Sequence, residues 1–237
     1  GKTSLVCRLA LDAMKHGQHV VYLDFENGED DAARRFLDMG ADADLLTERL
    51  VYVPFPGALD FGEIGAVWDE FPGAMGVFDS TRGMLRTAGL TENDASDTAK
   101  VFDPLVEFAL TQKVPCLVID HVTKATTSST GYARGSGDKL AAVQGQWYVE
   151  KVSAFDETTT GEISLTKWKA RKGRLHSFQR FAVGDGQGNL TFRKLDVDLT
   201  PEGRIDTAVI ALLKDQVQPV SLTFIESEVD GTAQTIR

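Results

Sequence analysis

Residues suited to phosphate chemistry stand at the start of the chain. These are Gly1, Lys2, Thr3 and Ser4, which precede an apolar helical pattern. Gly-Lys-Thr before a helix forms the second half of the phosphate-binding loop G-x-x-x-x-G-K-[ST], in which backbone N–H groups hold phosphates, the lysine reaches the outer phosphates and the threonine binds Mg²⁺. These residues predict a nucleotide site. We expect the first half of the loop to lie upstream of Gly1.

Polar residues also close three strand patterns. The ends of these strands carry Asp24 with Glu26, then Asp79, then Asp120 with His121. In a parallel sheet the carboxyl ends of the strands meet at one edge, where ligands bind. One acid at a strand end is typical of a turn. Three such ends beside Lys2 favour a catalytic edge.

Hydrolysis of a phosphoanhydride uses each of these residue types. Thr3 and Asp79 can hold Mg²⁺ directly or through water. Glu26 is then free to orient and deprotonate the attacking water. Asp24 is assigned to the opposite face of its strand by the two-residue period, so it is the weaker candidate for the base. His121 is expected close to the γ-phosphate, where it could sense the presence or loss of that group.

The elements that must position these residues alternate along the chain. Helical patterns lie at 5–14, 29–39, 61–71 and 95–112, and apolar strand patterns at 19–26, 51–53, 75–79 and 114–120. This order predicts an α/β fold built from βαβ units with a mostly parallel sheet. Beyond about residue 146 only strand patterns follow, at 147–152, 162–168, 178–183 and 190–194. They predict an antiparallel extension on one edge of that sheet.

Composition narrows the class of protein. The chain has 237 residues, 42% of them hydrophobic, which suits one large domain and a small one. No apolar run approaches the ~20 residues that cross a membrane, so we expect no membrane partner. Two cysteines, Cys7 and Cys116, give no disulfide framework and indicate a reducing cytoplasm. A net charge of −10 excludes a surface that is basic overall, so any contact with nucleic acid must involve a local region.

One local basic region lies among the late strands. Residues 166–184 contain no acid and include Lys167, Lys169, Arg171, Lys172, Arg174 and Arg180. The region is interpreted either as a solvated hairpin or as part of a site.

The motifs together resemble a known family. Gly-Lys-Thr-Ser, Asp-Phe-Glu, Val-Phe-Asp-Ser-Thr-Arg, Ile-Asp-His-Val-Thr-Lys and Ala-Arg-Gly-Ser-Gly occur in this order. The set resembles the RecA-fold ATPases, and most of all the RepA-type ring helicases of plasmids and phages, which are related to DnaB-type helicases. The resemblance covers about residues 1–195. It implies a RecA-like P-loop core over 1–199, ATP and Mg²⁺ as cofactors, and a homo-oligomeric ring, a hexamer, on single-stranded DNA.

The resemblance also implies roles for single residues. Gly1, Lys2, Thr3 and Ser4 would contact the nucleotide, with Asp79 as the acid of the second motif and Thr3 and Asp79 on the metal. Glu26 would be the catalytic base and His121 the γ-phosphate sensor. Arg134 would be an arginine finger that reaches the site of a neighbouring subunit. In DnaB-type relatives the finger comes from a late strand with Lys-x-Arg-x-Gly, a form that Lys169, Arg171 and Gly173 share. Arg134, Arg171 or both could therefore act in trans.

Two loops are predicted to meet DNA. In a ring of such folds, the segments 80–95 and 122–137 face the central channel. Their candidate DNA contacts are Arg82, Arg86, Lys124 and Tyr132. The alternative for 126–137, which is rich in Gly, Ser and Thr, is a surface loop without a partner.

The last segment has a different character. Residues 200–237 are interpreted as helix, turn and helix around Gly231, which predicts either the start of a winged-helix or helix-turn-helix domain or a helical hairpin on the core. We expect this domain to continue beyond Arg237.

Two functions fit these observations. The first is an ATP-hydrolysing ring motor on single-stranded DNA, a replicative helicase. The second is a non-motor, ATP-switched DNA-binding regulator or recombination mediator. Translocation with strand separation distinguishes them.

Overall fold

Four parallel strands carry the predicted nucleotide edge. The computed structural model describes residues 1–57, 60–92, 94–121, 137–156, 158–171 and 178–195. The parallel strands are β1 (Val20–Asp24), β2 (Leu50–Pro54), β3 (Met75–Asp79) and β4 (Cys116–Ile119), in the spatial order β2-β1-β3-β4. All residues of β1 and β3 are buried, which explains their continuous apolar patterns. The predicted α/β fold with a parallel sheet is confirmed.

Helices cover both faces of this sheet. They are α1 (Lys2–Lys15), α2 (Glu29–Asp38), α3 (Ala43–Arg49), α4 (Phe61–Glu70), α5 (Thr81–Thr87), α6 (Ala95–Gln112) and α7 (Gly137–Ala142). Val21 and Leu23 of β1 belong to one buried cluster, which also contains Trp68 of α4. Val20 and Tyr22 belong to another, together with residues of α1. The two-residue period of the strand therefore builds a core on each side.

Four late strands pair antiparallel, as predicted. They are β5 (Gly145–Ser153), β6 (Gly161–Ala170), β7 (Phe178–Val183) and β8 (Phe192–Leu195). In the described ranges they form a second four-stranded sheet of their own instead of hydrogen-bonding along the edge of the parallel sheet. This sheet packs on α1, because Leu5 shares a buried cluster with Ile163 and Val183. An alternating pattern predicts a strand but cannot show which sheet the strand joins.

Three short helices were not predicted. They are α3, α5 and α7, none longer than seven residues. Helix α5 occupies the start of segment 80–95, which the sequence indicated as a loop. Gly83 explains its close packing, because a Cβ at this position would lie 2.3 Å from Cβ of Phe25. The helix is thereby held against the end of β1.

Some predictions fall outside the described residues. The segment 200–237 is one, so the division of the chain at residue 199 remains a prediction. Segment 122–136 is another. Within the described ranges, no helix is long and apolar enough to cross a membrane.

Candidate active site

The residues predicted for nucleotide chemistry meet at one edge of the parallel sheet. The ammonium of Lys2 donates a hydrogen bond to the carbonyl oxygen of Asp120 at 2.6 Å. The hydroxyl of Thr3 donates to the carboxylate of Asp79. His121 Nε2 lies 3.8 Å from Oε1 of Glu26. The start of α1 and the ends of β1, β3 and β4 thus form one site.

The N-terminus of α1 suits an anion. Gly1 is the N-cap residue, and no side chain caps this helix end among the described residues. The first turn also contains no acid. The N–H groups of this turn and the positive end of the helix dipole are the features that bind phosphate.

Lys2 lies between this helix end and the strand edge. Partial burial lowers the pKa of Lys2, while the negative charges of Asp120, Asp79 and Glu26 oppose that change. Ser4, also predicted to contact nucleotide, is 8% exposed and lies in the same first turn. A phosphate at the helix end would give the Lys2 ammonium an anionic partner in place of the neutral Asp120 carbonyl.

Asp79 is a buried carboxylate with two hydroxyl donors. It is 1% exposed, and the Tyr22 hydroxyl donates to its Oδ2 at 3.0 Å. Burial raises the pKa of Asp79, and the hydrogen bonds from Tyr22 and Thr3 act in the other direction. A divalent cation beside Thr3 would compensate this buried charge. Within the described residues no group of three acid, histidine or cysteine side chains could hold a metal alone. Mg²⁺ would therefore also need phosphate oxygens and waters, which it normally keeps.

Glu26 follows the end of β1 and reaches towards the next strand. Its side chain is 34% exposed, so it is accessible to water. The hydroxyl of Ser80 donates to its Oε1. This arrangement allows a carboxylate to bind a water molecule near the γ-phosphate position.

Asp24 lies on the face of the sheet that α1 covers. Tyr52, which packs in the same cluster as Tyr22, donates to Asp24 Oδ2 at 3.0 Å. Asp24 therefore shares the sheet face of Tyr22, as residues two apart must. Its Oδ1 is already bound to the backbone N–H groups of Glu26 and Asn27, at 2.9 and 2.8 Å. Asp24 is fully buried and supports the turn that carries Glu26.

A buried lysine near the site was missed by sequence reasoning. Lys139, at 4% exposure, donates to the carboxylate of Asp120 at 3.2 Å and to Glu92 at 3.5 Å. Burial raises the pKa of Asp120, and the charge of Lys139 opposes this. The three residues are far apart in the sequence, so no local pattern indicates their contact.

The candidate DNA contacts are only partly within the described residues. Arg82 and Arg86 are both exposed on α5. Arg86 Nη2 also donates to the carbonyl of Phe25 at 3.2 Å, which joins α5 to the residue before Glu26. Lys124 and Tyr132 lie outside the described residues.

Of the two candidate positions for the arginine finger, the structure describes only the one on the late strand. Arg134 lies outside the described residues. Lys169 and Arg171 both donate to the carbonyl oxygen of Ala141, at the end of α7. The late basic strand is thus attached to the helix that contains Lys139.

The parallel sheet, a helix end suited to phosphate and the acids at the strand ends are the features of a RecA-like P-loop ATPase. The AAA domain family AAA_25 matches residues 1–127, more than half of the chain, so the chain belongs to this family.

Comparison with solved structures gives the same fold. The chain is similar to the crystal structure of a KaiC-like protein from the hyperthermophilic archaeon Pyrococcus horikoshii OT3, with a TM-score of 0.59 and 16% sequence identity. The match covers 81% of this chain and 84% of that chain. No curated protein matches the chain. The relation to RepA-type helicases remains a prediction.

Proposed function

We propose that the protein is an ATP-hydrolysing ring motor that acts on single-stranded DNA, a replicative helicase of the RepA type. The observation that carries the proposal is the meeting of Lys2, Thr3, Asp79 and Glu26 at one sheet edge. These four residues supply the charge, the metal ligands and the base that phosphoryl transfer to water requires.

Each residue of the site has a separate role in ATP hydrolysis. Helix α1 and Lys2 bind the phosphates, and Thr3 with Asp79 would hold Mg²⁺, which neutralises charge on the β- and γ-phosphates. Glu26 accepts a proton from water while the water oxygen bonds to the γ-phosphorus. The bond from that phosphorus to the bridging oxygen breaks, and ADP leaves with the electron pair. His121, close to Glu26, is in position to respond when the γ-phosphate departs.

The DNA part of the proposal rests on α5. Arg82 and Arg86 place two exposed cations on a short helix in a chain of net charge −10. The contact of Arg86 with the Phe25 carbonyl joins this helix to the Glu26 turn. DNA bound at α5 could thereby be coupled to hydrolysis.

The ring part of the proposal rests on residues supplied in trans. Arg134, with Arg171 or Lys169 from the late strand, would stabilise the transition-state charge in a neighbouring site. Arg171 would leave the Ala141 carbonyl to do so.

Unwinding of a forked DNA duplex by the full-length protein tests this function. We expect ATP- and Mg²⁺-dependent strand separation, together with ATP turnover that rises with single-stranded DNA. Arg82→Glu should weaken binding and reduce the salt dependence of log K by about 0.7 per lost phosphate contact. Arg34→Glu is the matched control, because Arg34 is exposed on α2 and paired with Asp31. Nucleotide-dependent DNA binding without unwinding would contradict the motor and support the regulator.

A further inference from the structure

Ser80 contacts the proposed base but has no part in the mechanism given above. It follows Asp79 directly and is fully buried. Its hydroxyl donates a hydrogen bond to Oε1 of Glu26. The two residues follow the ends of different strands, Ser80 after β3 and Glu26 after β1, so the contact links two strand ends at the nucleotide edge.

The hydroxyl of Ser80 does not cap the helix that follows it. Ser80 is the N-cap residue of α5, with extended backbone at φ −133° and ψ 176°. A serine at this position normally accepts a hydrogen bond from an amide in the first helical turn. Here the side chain makes no capping bond to α5, although its carbonyl accepts from Met84 N at 2.9 Å. The hydroxyl is directed to Glu26 instead.

The backbone of Glu26 is already fixed by other groups. Asp24 binds the N–H groups of Glu26 and Asn27, and Phe25 N donates to the carbonyl of Asp79 at 2.6 Å. The remaining freedom of Glu26 is rotation of its side chain about three bonds. The bond from Ser80 restricts that rotation, because Ser80 is itself fully buried and begins a helix whose inner face, with Met84 and Leu85, is buried.

We propose that Ser80 is a positioning residue that holds the Glu26 carboxylate by one oxygen and leaves the other for the attacking water. This inference rests on the proposed function, in which Glu26 is the base. His121 lies 3.8 Å from the same Oε1, and no described residue donates a hydrogen bond to Oε2. Misplacing a catalytic group by about 1 Å can cost ~10²-fold in rate, so loss of the Ser80 bond should be visible in turnover.

Steady-state kinetics of Ser80→Ala in the full-length protein tests the proposal. We expect kcat for ATP hydrolysis to fall by at least about tenfold with KM for ATP unchanged, because the bond acts on the base and not on the nucleotide. Ser80→Thr keeps the hydroxyl and should recover most of kcat. Thr81→Val is the matched control, because its neighbouring buried hydroxyl has no partner among the described residues. Its kcat should equal that of the wild type.

A double-mutant cycle separates positioning from a structural role. When Glu26→Gln has removed the base, Ser80→Ala should cause no further loss of single-turnover rate, because the two residues act as one unit. An equal loss in both backgrounds, or an unchanged kcat in Ser80→Ala, would overturn the proposal. A wild-type protein without ATP turnover, or full turnover in Glu26→Gln, would instead overturn the proposed function.

Discussion

The hydroxyl of Tyr22 lies 3.0 Å from a carboxylate oxygen of Asp79, on the face of the sheet that α1 covers. Both residues are essentially inaccessible, at 1% exposure each. Asp79, the acid that would hold Mg²⁺, therefore accepts a hydrogen bond from Tyr22 of the neighbouring strand β1 and another from Thr3 of α1. Three elements of the fold meet at this one side chain.

Loss of the Tyr22 hydroxyl should destabilise the protein. Tyr22→Phe removes a donor from a buried carboxylate, and a hydrogen bond to a charged group contributes about 2 kcal/mol. We expect the free energy of unfolding in urea to fall by about that amount. Tyr148→Phe is the control, because this ring stacks on Trp168 and its hydroxyl has no hydrogen bond among the described residues. Equal stability of Tyr22→Phe and the wild type would show that the bond contributes nothing.

The charge of Asp79 should make stability depend on pH. Burial raises the pKa of Asp79 in the folded state, so the folded protein holds this proton more tightly than the unfolded chain. The contribution to stability is present below the unfolded pKa and is lost as pH rises through the folded pKa. Asp79→Asn cannot ionise, so without Mg²⁺ it should be more stable than the wild type at neutral pH, by a margin that disappears near about pH 4.

Magnesium should reverse that order. Because Mg²⁺ and nucleotide bind only the folded state, they stabilise the wild type more than Asp79→Asn, whose amide is a weaker ligand. Denaturation curves of the wild type and Asp79→Asn at neutral pH and near about pH 4, with and without MgATP, measure the difference in their free energies of unfolding. A variant that saturates at the same Mg²⁺ concentration as the wild type would remove Asp79 from the metal site.

Sequence reasoning recovered the parts of the fold whose signals are local. β3 was predicted at 75–79 and α6 at 95–112, which are the bounds observed. A buried apolar run and a long helical period can both be recognised from neighbouring residues alone. Helix α5 was missed because it is short and contains Gly83, which weakens a helical pattern.

The sequence predicted which residues form the candidate site, but not the side chains that hydrogen-bond to them. Strand ends of a parallel sheet must meet, so Glu26, Asp79 and His121 could be grouped from the sequence. Ser80 is adjacent to Asp79 in a quoted motif, but its bond to Glu26 depends on the pairing of strands far apart in the chain. The contact of Lys139 with Asp120 likewise exists only in the folded protein.

Lys139 should contribute strongly to stability. Lys139→Met leaves the carboxylates of Asp120 and Glu92 close together without their cation, and removal of one partner from a buried ion pair costs about 3 kcal/mol. Lys100→Met is the matched control, because the Lys100–Asp97 pair is exposed and should matter little. Thermal unfolding of the two variants compares them. Similar melting temperatures would contradict a structural role for Lys139.

A subunit-mixing experiment tests the trans arginine. Arg134→Ala and Lys2→Ala subunits should each be nearly inactive alone. Mixed rings should recover some turnover, because an intact Lys2 can then face an intact Arg134 of a neighbour. The same experiment with Arg171→Ala asks whether the late strand shares the role. Normal turnover of Arg134→Ala, or an active protein that stays monomeric, would refute the assignment of Arg134.

The most direct test of the account is the comparison of ATP binding and ATP turnover in Glu26→Gln. The amide keeps the shape of the side chain and can still accept a hydrogen bond from Ser80, but it cannot accept the proton of water. We predict that the full-length variant binds MgATP with the affinity of the wild type and loses at least about 10²-fold in turnover. Turnover equal to that of the wild type would contradict the assignment of Glu26 as the catalytic base.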